Sequence, residues 1–255
     1  MDVCGEAPLR LTLLHLYPDL LNIYGDRGNV LALRRRAGWR GIALEVREAS
    51  LGDPVDWDGV DLVTLGGGED TKQALVAPDL LRRGAALRAA VEDGLAVLAV
   101  CGGYQLLGRS YQTVRGEELP GVGVFDAVTT AGHGRLIGNV VADSEDFGTL
   151  VGFENHGGRT HLGPGCRPLG RVRPGRGGGN NGRDGGEGAL HRACVGTYLH
   201  GSILPKNPRL ADFLLRAALR RRHGDAGEAA LASLPDELES EAHRRAEALP
   251  RGGRR

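Results

Sequence analysis

Leu95-Ala-Val-Leu-Ala-Val-Cys101-Gly-Gly-Tyr-Gln-Leu-Leu-Gly108 decides the fold, because an unbroken apolar run delivers a cysteine into a glycine pair and then into a helical pattern. The run from Leu95 to Val100 is too short and too β-branched for a helix and too apolar for a surface strand. It reads as a central strand buried on both faces. Gly102 and Gly103 permit a sharp turn and a close approach to backbone N–H groups, and Tyr104 to Leu107 start the next helix. Cys101 then stands at the carboxyl end of a sheet, beside a helix N-terminus whose partial positive charge favours thiolate. A buried core cysteine is the commoner fate of such a residue, but it has no need of the glycines.

Upstream, strand and helix alternate from the start, the pattern of a parallel sheet with helices on its faces. Leu9 to Leu16 reads as a strand, Val30 to Ala37 as a helix ended by Gly38 and Gly41, and Ile42 to Val46 as a second strand. Between the first two lies Tyr17-Pro-Asp-Leu-Leu-Asn-Ile-Tyr-Gly-Asp-Arg-Gly-Asn29, rich in turn formers and unusual in its Tyr, Asp and Asn. Asp61 to Leu65 is a third buried strand that runs into Gly66-Gly-Gly68. Bare backbone at that end of a parallel strand is where ligands meet open α/β sheets. No Gly-Lys-Ser/Thr follows, which argues against a phosphate cradle. An oxyanion hole fits better, with Gly67 or Gly68 and Gly102 donating. A helix from about Leu80 to Glu92 leads to the cysteine strand.

After Gly108 the pattern turns short and alternating. Gly121 to Phe125, His133 to Val141 and Phe147 to Phe153 read as strands of a β-rich, more antiparallel half. Pro174 to Gly188 is so rich in glycine that a disordered hairpin tip is expected over 174–188. Ala193 to Leu199 returns as a strand ending at His200-Gly201, Pro208 to Arg222 is an amphipathic helix, and Glu237 to Ala248 a polar one before a fraying end. The expected organisation is a tail over 1–8, one α/β domain over 9–223, and a helical extension over 224–255.

Charge excludes some function classes. Lys+Arg 32 balances Asp+Glu 32 in 255 residues, so no global field points to nucleic acid or an anionic membrane. Cys4, Cys101, Cys166 and Cys194 lack paired metal-ligand spacing, and no metal is expected. No apolar run approaches the roughly 20 residues of a membrane span. No export signal opens the chain, so a cytoplasmic protein with reduced thiols is expected.

A thiolate needs a base or cation nearby, and His156 and His200 both stand at strand ends. Val195-Gly-Thr-Tyr-Leu199 delivers His200 to the sheet's end with a glycine after it, as an accessible imidazole requires. Glu154 and His156 share one strand face in Gly152-Phe-Glu-Asn-His-Gly-Gly158, which suits pocket lining. No acid follows His200 at a convincing spacing, so a third member must come from elsewhere in the fold, from a partner chain, or not at all. Arg135, flanked by Gly134, can offer a fork to a carboxylate.

Cys101-Gly-Gly-Tyr-Gln105, Gly152-Phe-Glu-Asn-His-Gly-Gly-Arg-Thr160 and Gly196-Thr-Tyr-Leu-His-Gly201 together resemble the glutamine amidotransferases of the cobyric acid synthase type. Leu16 to Val30 and Leu199-His-Gly-Ser-Ile-Leu-Pro-Lys-Asn-Pro208 narrow the likeness to the glutaminase subunits of lipid II isoglutaminyl synthases. The resemblance implies a class I amidotransferase fold, a flavodoxin-like α/β sheet, with Cys101 as nucleophile, His200 as its partner and Arg135 as the contact to L-glutamine. Gln105, Glu154 and His156 are the further substrate-binding candidates. It also implies a MurT-like ATP-dependent Mur ligase as heterodimer partner, holding the ATP and metal and amidating the D-glutamate α-carboxyl of lipid II in peptidoglycan synthesis. No cofactor is expected in this chain. Ala99 and the lack of a His-Pro-Glu arrangement depart from many class I enzymes. The rival readings are an amidotransferase for another acceptor such as a corrinoid, a cysteine peptidase, and an inactive regulatory binding module.

Overall fold

The computed structural model describes residues 9–200 and 202–252. The tail expected over 1–8, Gly201 and the last three residues lie outside the described residues. The first sheet has the order β11-β12-β4-β3-β1-β2, from β1 (Arg10–Leu16), β2 (Ala43–Ala49), β3 (Leu62–Leu65), β4 (Ala96–Val100), β11 (Ala189–His191) and β12 (Cys194–Thr197). All its neighbours run parallel except β11, which pairs antiparallel with β12 at the edge. Every residue of β3, β4 and β12 is buried, as strands covered on both faces must be. Helix α1 (Arg27–Gly38) packs with α4 (Ile203–Lys206) and α5 (Pro208–Ala229), while α2 (Asp70–Glu92) packs with α3 (Gly102–Leu107). Removing a core side chain such as Leu98 costs about 2–5 kcal/mol, since the site cannot collapse fully.

The second sheet is built on one long antiparallel hairpin, β7 (Ala127–Ser144) with β8 (Gly148–Leu162). Strands β5 (Ser110–Gln112), β6 (Glu118–Pro120), β9 (Gly170–Val172) and β10 (Gly186–Glu187) complete it. The register of β7 on β8 shifts between Ala131 and Leu136, a bulge that frees Arg135 from the ladder. An isolated bridge joins Phe153 of β8 to His200, with His200 N–H donating to Phe153 O at 2.7 Å. The two sheets therefore meet at the end of β12.

Three expectations change. Helix α2 starts at Asp70, well before Leu80, and carries Pro78 inside it. Its first turns are held by tertiary contacts, since Gln73 Nε2 donates to both Gly68 O and Gln105 Oε1 at 3.0 Å. Gly121 to Phe125 is not a strand. The N–H groups of Val122 and Phe125 donate to Leu106 O and Leu107 O, so the segment caps the exit of α3 instead of joining a ladder.

The glycine-rich stretch 174–188 is folded, not a disordered tip. Gly178 and Gly179 donate their N–H groups to the fully buried Glu154 carboxylate at 2.7 and 2.9 Å. Asn180 and Asn181 are buried, and their amides donate to Gly188 O and Thr160 O. Gly179, at φ +60, lies where a Cβ would fall 2.3 Å from Gly186 O. Glycine here makes the backbone itself the packing unit. Glu154 thus anchors this loop.

The extension is docked as well. Arg36 of α1 reaches Asp212 at 2.8 Å and Asp236 at 2.6 Å, tying α5 to the start of α6 (Glu237–Ala248). Arg176 donates to Glu247 O and Leu249 O, and Asn139 N–H donates to Arg251 O at 2.7 Å. No helix among the described residues is long and apolar enough to cross a membrane.

Candidate active site

Strand β4 ends at Val100, and Cys101 follows with φ 48 and ψ −101, a strained left-handed conformation for a residue with a Cβ. The strand cannot relax it, because Cys101 N–H donates to Thr197 O at 2.8 Å and Gln105 N–H to Cys101 O at 2.9 Å. The side chain is turned out of the sheet at a sharp strand-to-helix elbow. Cys101 is 5% exposed and lines a cleft of about 790 Å³.

His200 sits beside it. A Cβ at Gly67 would fall 2.7 Å from His200 Cε1 and 3.3 Å from Cys101 Cβ, so imidazole and thiol flank one point. Only a residue without a side chain fits at position 67. The ring's Nδ1 lies 3.4 Å from Asp26 Oδ1, and Nε2 has no hydrogen-bond partner among the described residues. Nε2 is therefore the nitrogen left for the thiol. Burial opposes charging this imidazole, but Asp26 and Cys101 outweigh it and push its pKa up to about 10. Glu187 supports the same strand from below, accepting from Thr197 Oγ1 and Tyr198 N–H, and burial pushes its carboxyl up to about 7.

Asp26 is the acid that spacing from His200 did not reveal. It stands at the start of α1, and β1, which precedes it, is the neighbour of β3 in the sheet. Its signal in the sequence is the polar Gly25-Asp-Arg-Gly-Asn29 after β1. The same carboxylate accepts Gly67 N–H through Oδ2 at 2.6 Å. That bond commits the Gly67 amide, which leaves Gly68 as the candidate donor to an oxyanion. Gly68 lies against Gly102, where a Cβ would come 2.9 Å from Gly68 N.

The opposite wall comes from the second sheet. Arg135 donates from Nε to Asn155 Oδ1 and from Nη2 to Asn155 O, each at 2.7 Å. Asn155 Nδ2 in turn donates to Tyr24 OH at 2.6 Å. Tyr24 stands edge-on to the His200 ring at 5.0 Å between centroids. Arg135, Asn155, Tyr24, His156, Gln105, Gly68 and Cys101 all line the cleft. Gln105 is fixed there by Gln73 and by Tyr198 OH, to which its Nε2 donates at 3.1 Å. His156 stacks on Tyr198 at 3.5 Å and its Nδ1 lies 3.0 Å from Gly158 O. Burial lowers its pKa against the pull of Glu154, so the ring stays neutral near pH 7.

Glu154 does not line the cleft, contrary to its expected place as a substrate contact. Its carboxylate is taken up by the N–H groups of Gly178 and Gly179 away from the cleft, whereas Asn155 and His156 line it. Sequence reading missed Asp26, Tyr24 and Asn155 as site residues. The signal of Asn155 in the sequence is a polar amide between two titratable residues, Glu154 and His156.

The CobB/CobQ-like glutamine amidotransferase domain family matches residues 12–208. The chain is 45% identical over 212 residues to the lipid II isoglutaminyl synthase (glutamine-hydrolyzing) subunit GatD of Staphylococcus aureus, covering 83% of this chain and 86% of that one. It is 39% identical to the GatD subunit of Streptococcus pneumoniae, covering 86% and 85%. The cobyric acid synthase of Pelotomaculum thermopropionicum is 37% identical, with the match covering 88% of this chain and 42% of that protein. A crystal structure of a glutamine amidotransferase superposes with a TM-score of 0.56 at 20% identity, over 80% of this chain and 98% of the other, which speaks for the fold. With a strained cysteine, its imidazole and a family match over most of its length, this chain belongs to the CobB/CobQ-like glutamine amidotransferases.

Proposed function

We propose that this chain is the glutaminase subunit of a lipid II isoglutaminyl synthase, supplying ammonia to a MurT-like ATP-dependent Mur ligase. The observation that carries the chemistry is Cys101 at the elbow, with the His200 ring beside it and Asp26 behind that ring, in a cleft walled by Arg135. The likeness to two GatD subunits over most of both chains carries the acceptor.

Arg135 takes the α-carboxylate of L-glutamine, and the side-chain carboxamide reaches Cys101. The thiolate sulfur bonds to the amide carbon, and the C=O electron pair moves onto oxygen. Gly68 and Gly102 N–H groups hold that oxyanion, each donor being worth about 3 kcal/mol in the transition state. His200, held by Asp26, gives its proton to the leaving nitrogen, so ammonia departs and a glutamyl thioester remains. The same imidazole then takes a proton from water as the water adds to the thioester. Collapse returns the thiolate and releases glutamate. The ammonia passes to the ligase, which holds the ATP and metal and amidates the D-glutamate α-carboxyl of the lipid II stem peptide.

The test is glutamine-dependent ammonia release by the chain with its Mur ligase-type subunit, followed by mass analysis of the lipid II product. Amidation that requires both subunits and is lost in Cys101→Ala supports the assignment. Ammonia release with a corrinoid ligase and none with the Mur ligase would reassign the acceptor.

A further inference from the structure

Tyr24 is held in a way that burial does not explain. It is 47% exposed, yet its backbone sits at φ 54, a left-handed conformation that a tyrosine does not adopt without restraint. Two restraints act on it. Its ring packs edge-on against His200 at 5.0 Å and Phe153 at 6.3 Å, and its hydroxyl accepts from Asn155 Nδ2 at 2.6 Å.

Asn155 spends its other end on Arg135. Its Oδ1 accepts from Arg135 Nε and its backbone oxygen from Nη2, both at 2.7 Å. Arg135 lies in the irregular stretch between Ala131 and Leu136 where β7 loses register with β8, so the ladder does not aim its guanidinium. Asn155 aims it. The amide is suited to this place because it accepts from the guanidinium at one end and donates to the phenol at the other. One unbroken chain of contacts therefore runs from the carboxylate subsite, through Asn155, to the ring that covers the catalytic imidazole.

We infer that Tyr24 is a positioning residue that couples occupancy of the Arg135 subsite to the cover over His200, with Asn155 as the relay. The inference rests on the glutaminase reading. A carboxylate on Arg135 pulls the guanidinium, the guanidinium reorients the Asn155 amide, and the amide sets whether Tyr24 is tied down. Substrates that carry an α-carboxylate thus gain more than the direct ion pair.

The measurement is kcat/KM for L-glutamine and for 4-aminobutanamide, which keeps the carboxamide and amine but lacks the α-carboxylate, in the two-subunit enzyme. Tyr24→Phe keeps the ring and removes the hydroxyl. It is expected to lower kcat/KM for glutamine about fivefold or more, mostly through KM, the size of one lost hydrogen bond. The loss for 4-aminobutanamide is expected to be smaller, about twofold at most. In an Arg135→Lys background, where the fork to Asn155 is gone, Tyr24→Phe is expected to add little to either loss. Equal losses for the two substrates, or fully additive losses in the double variant, would make Tyr24 a passive wall and overturn the coupling. Failure of the wild-type enzyme to hydrolyse glutamine would be visible before any variant is compared, and would overturn the underlying reading instead.

Discussion

The parallel sheet and the β7–β8 hairpin build opposite walls of one cleft by different means. On the sheet side, Cys101, Gly68 and His200 stand at the ends of β4, β3 and β12, three neighbouring strands buried on both faces. Their positions follow from the strands. On the hairpin side, Arg135 leaves the ladder at a bulge and is aimed by Asn155, while Glu154 behind it holds a glycine-rich loop. The groups proposed to react are thus fixed by backbone, and the proposed substrate wall by side chains. Damage to the first wall should appear in kcat, and damage to the second in KM or in local stability.

The largest effects test the sheet side. His200→Ala is expected to lower glutamine turnover about 10³-fold or more, with KM little changed, since proton transfer and the thiolate's partner are both lost. Ammonia release under saturating glutamine checks it. Gly67→Ala should approach that loss without replacing a titratable group, because its Cβ would fall 2.7 Å from His200 Cε1 and 3.3 Å from Cys101 Cβ. On the hairpin side, Arg135→Ala is expected to raise KM about 100-fold, the scale of a charge-assisted fork, and to lower kcat less. An Arg135→Ala loss confined to kcat would break the contrast between the walls.

Smaller effects concern stability. Glu154→Ala leaves the N–H groups of Gly178 and Gly179 without their acceptor, at about 1–3 kcal/mol for each buried donor. Faster amide exchange confined to 174–188 would sharpen the view that this loop folds onto one carboxylate. Unaltered exchange there would break it. Two buried groups with raised pKa values make stability fall as pH rises. Glu187 has its folded pKa raised from 4.5 to about 7, and His200 from 6.5 to about 10. In each case the folded state holds the proton more tightly than the unfolded one, so stability falls as pH rises, between 4.5 and 7 for the first and 6.5 and 10 for the second. The slope is at most about 1.4 kcal/mol per pH unit for one proton. Denaturant melts from pH 6 to pH 10 should flatten in His200→Gln.

The same contrast explains what could be read in advance. Strand β4, the Cys101 elbow, the triple glycine after β3 and the strand that ends at His200 are written in consecutive residues, because a buried parallel strand is a local apolar run. Asp26 was hidden because its link to His200 spans 174 positions and depends on which strands are neighbours. Glu154 was placed on the correct strand but on the wrong job. Only the position of Gly178 and Gly179, far along the chain, shows that its carboxylate turns inward. The loop itself was misread because composition counts side chains, and this segment packs with its backbone. Helix α2 begins at Asp70 and not near Leu80, because Gln73 and its two acceptors hold its first turns.

The most direct measurement is the rate at which a glutamine-shaped diazoketone labels the intact chain, read by mass and peptide mapping. One adduct on Cys101, slowed by L-glutamine and slowed about 100-fold or more in Asp26→Asn and His200→Gln, is the expected result. An adduct on another residue, or Asp26→Asn labelled at the wild-type rate, would contradict the claim that this chain assembles its own nucleophile, imidazole and acid.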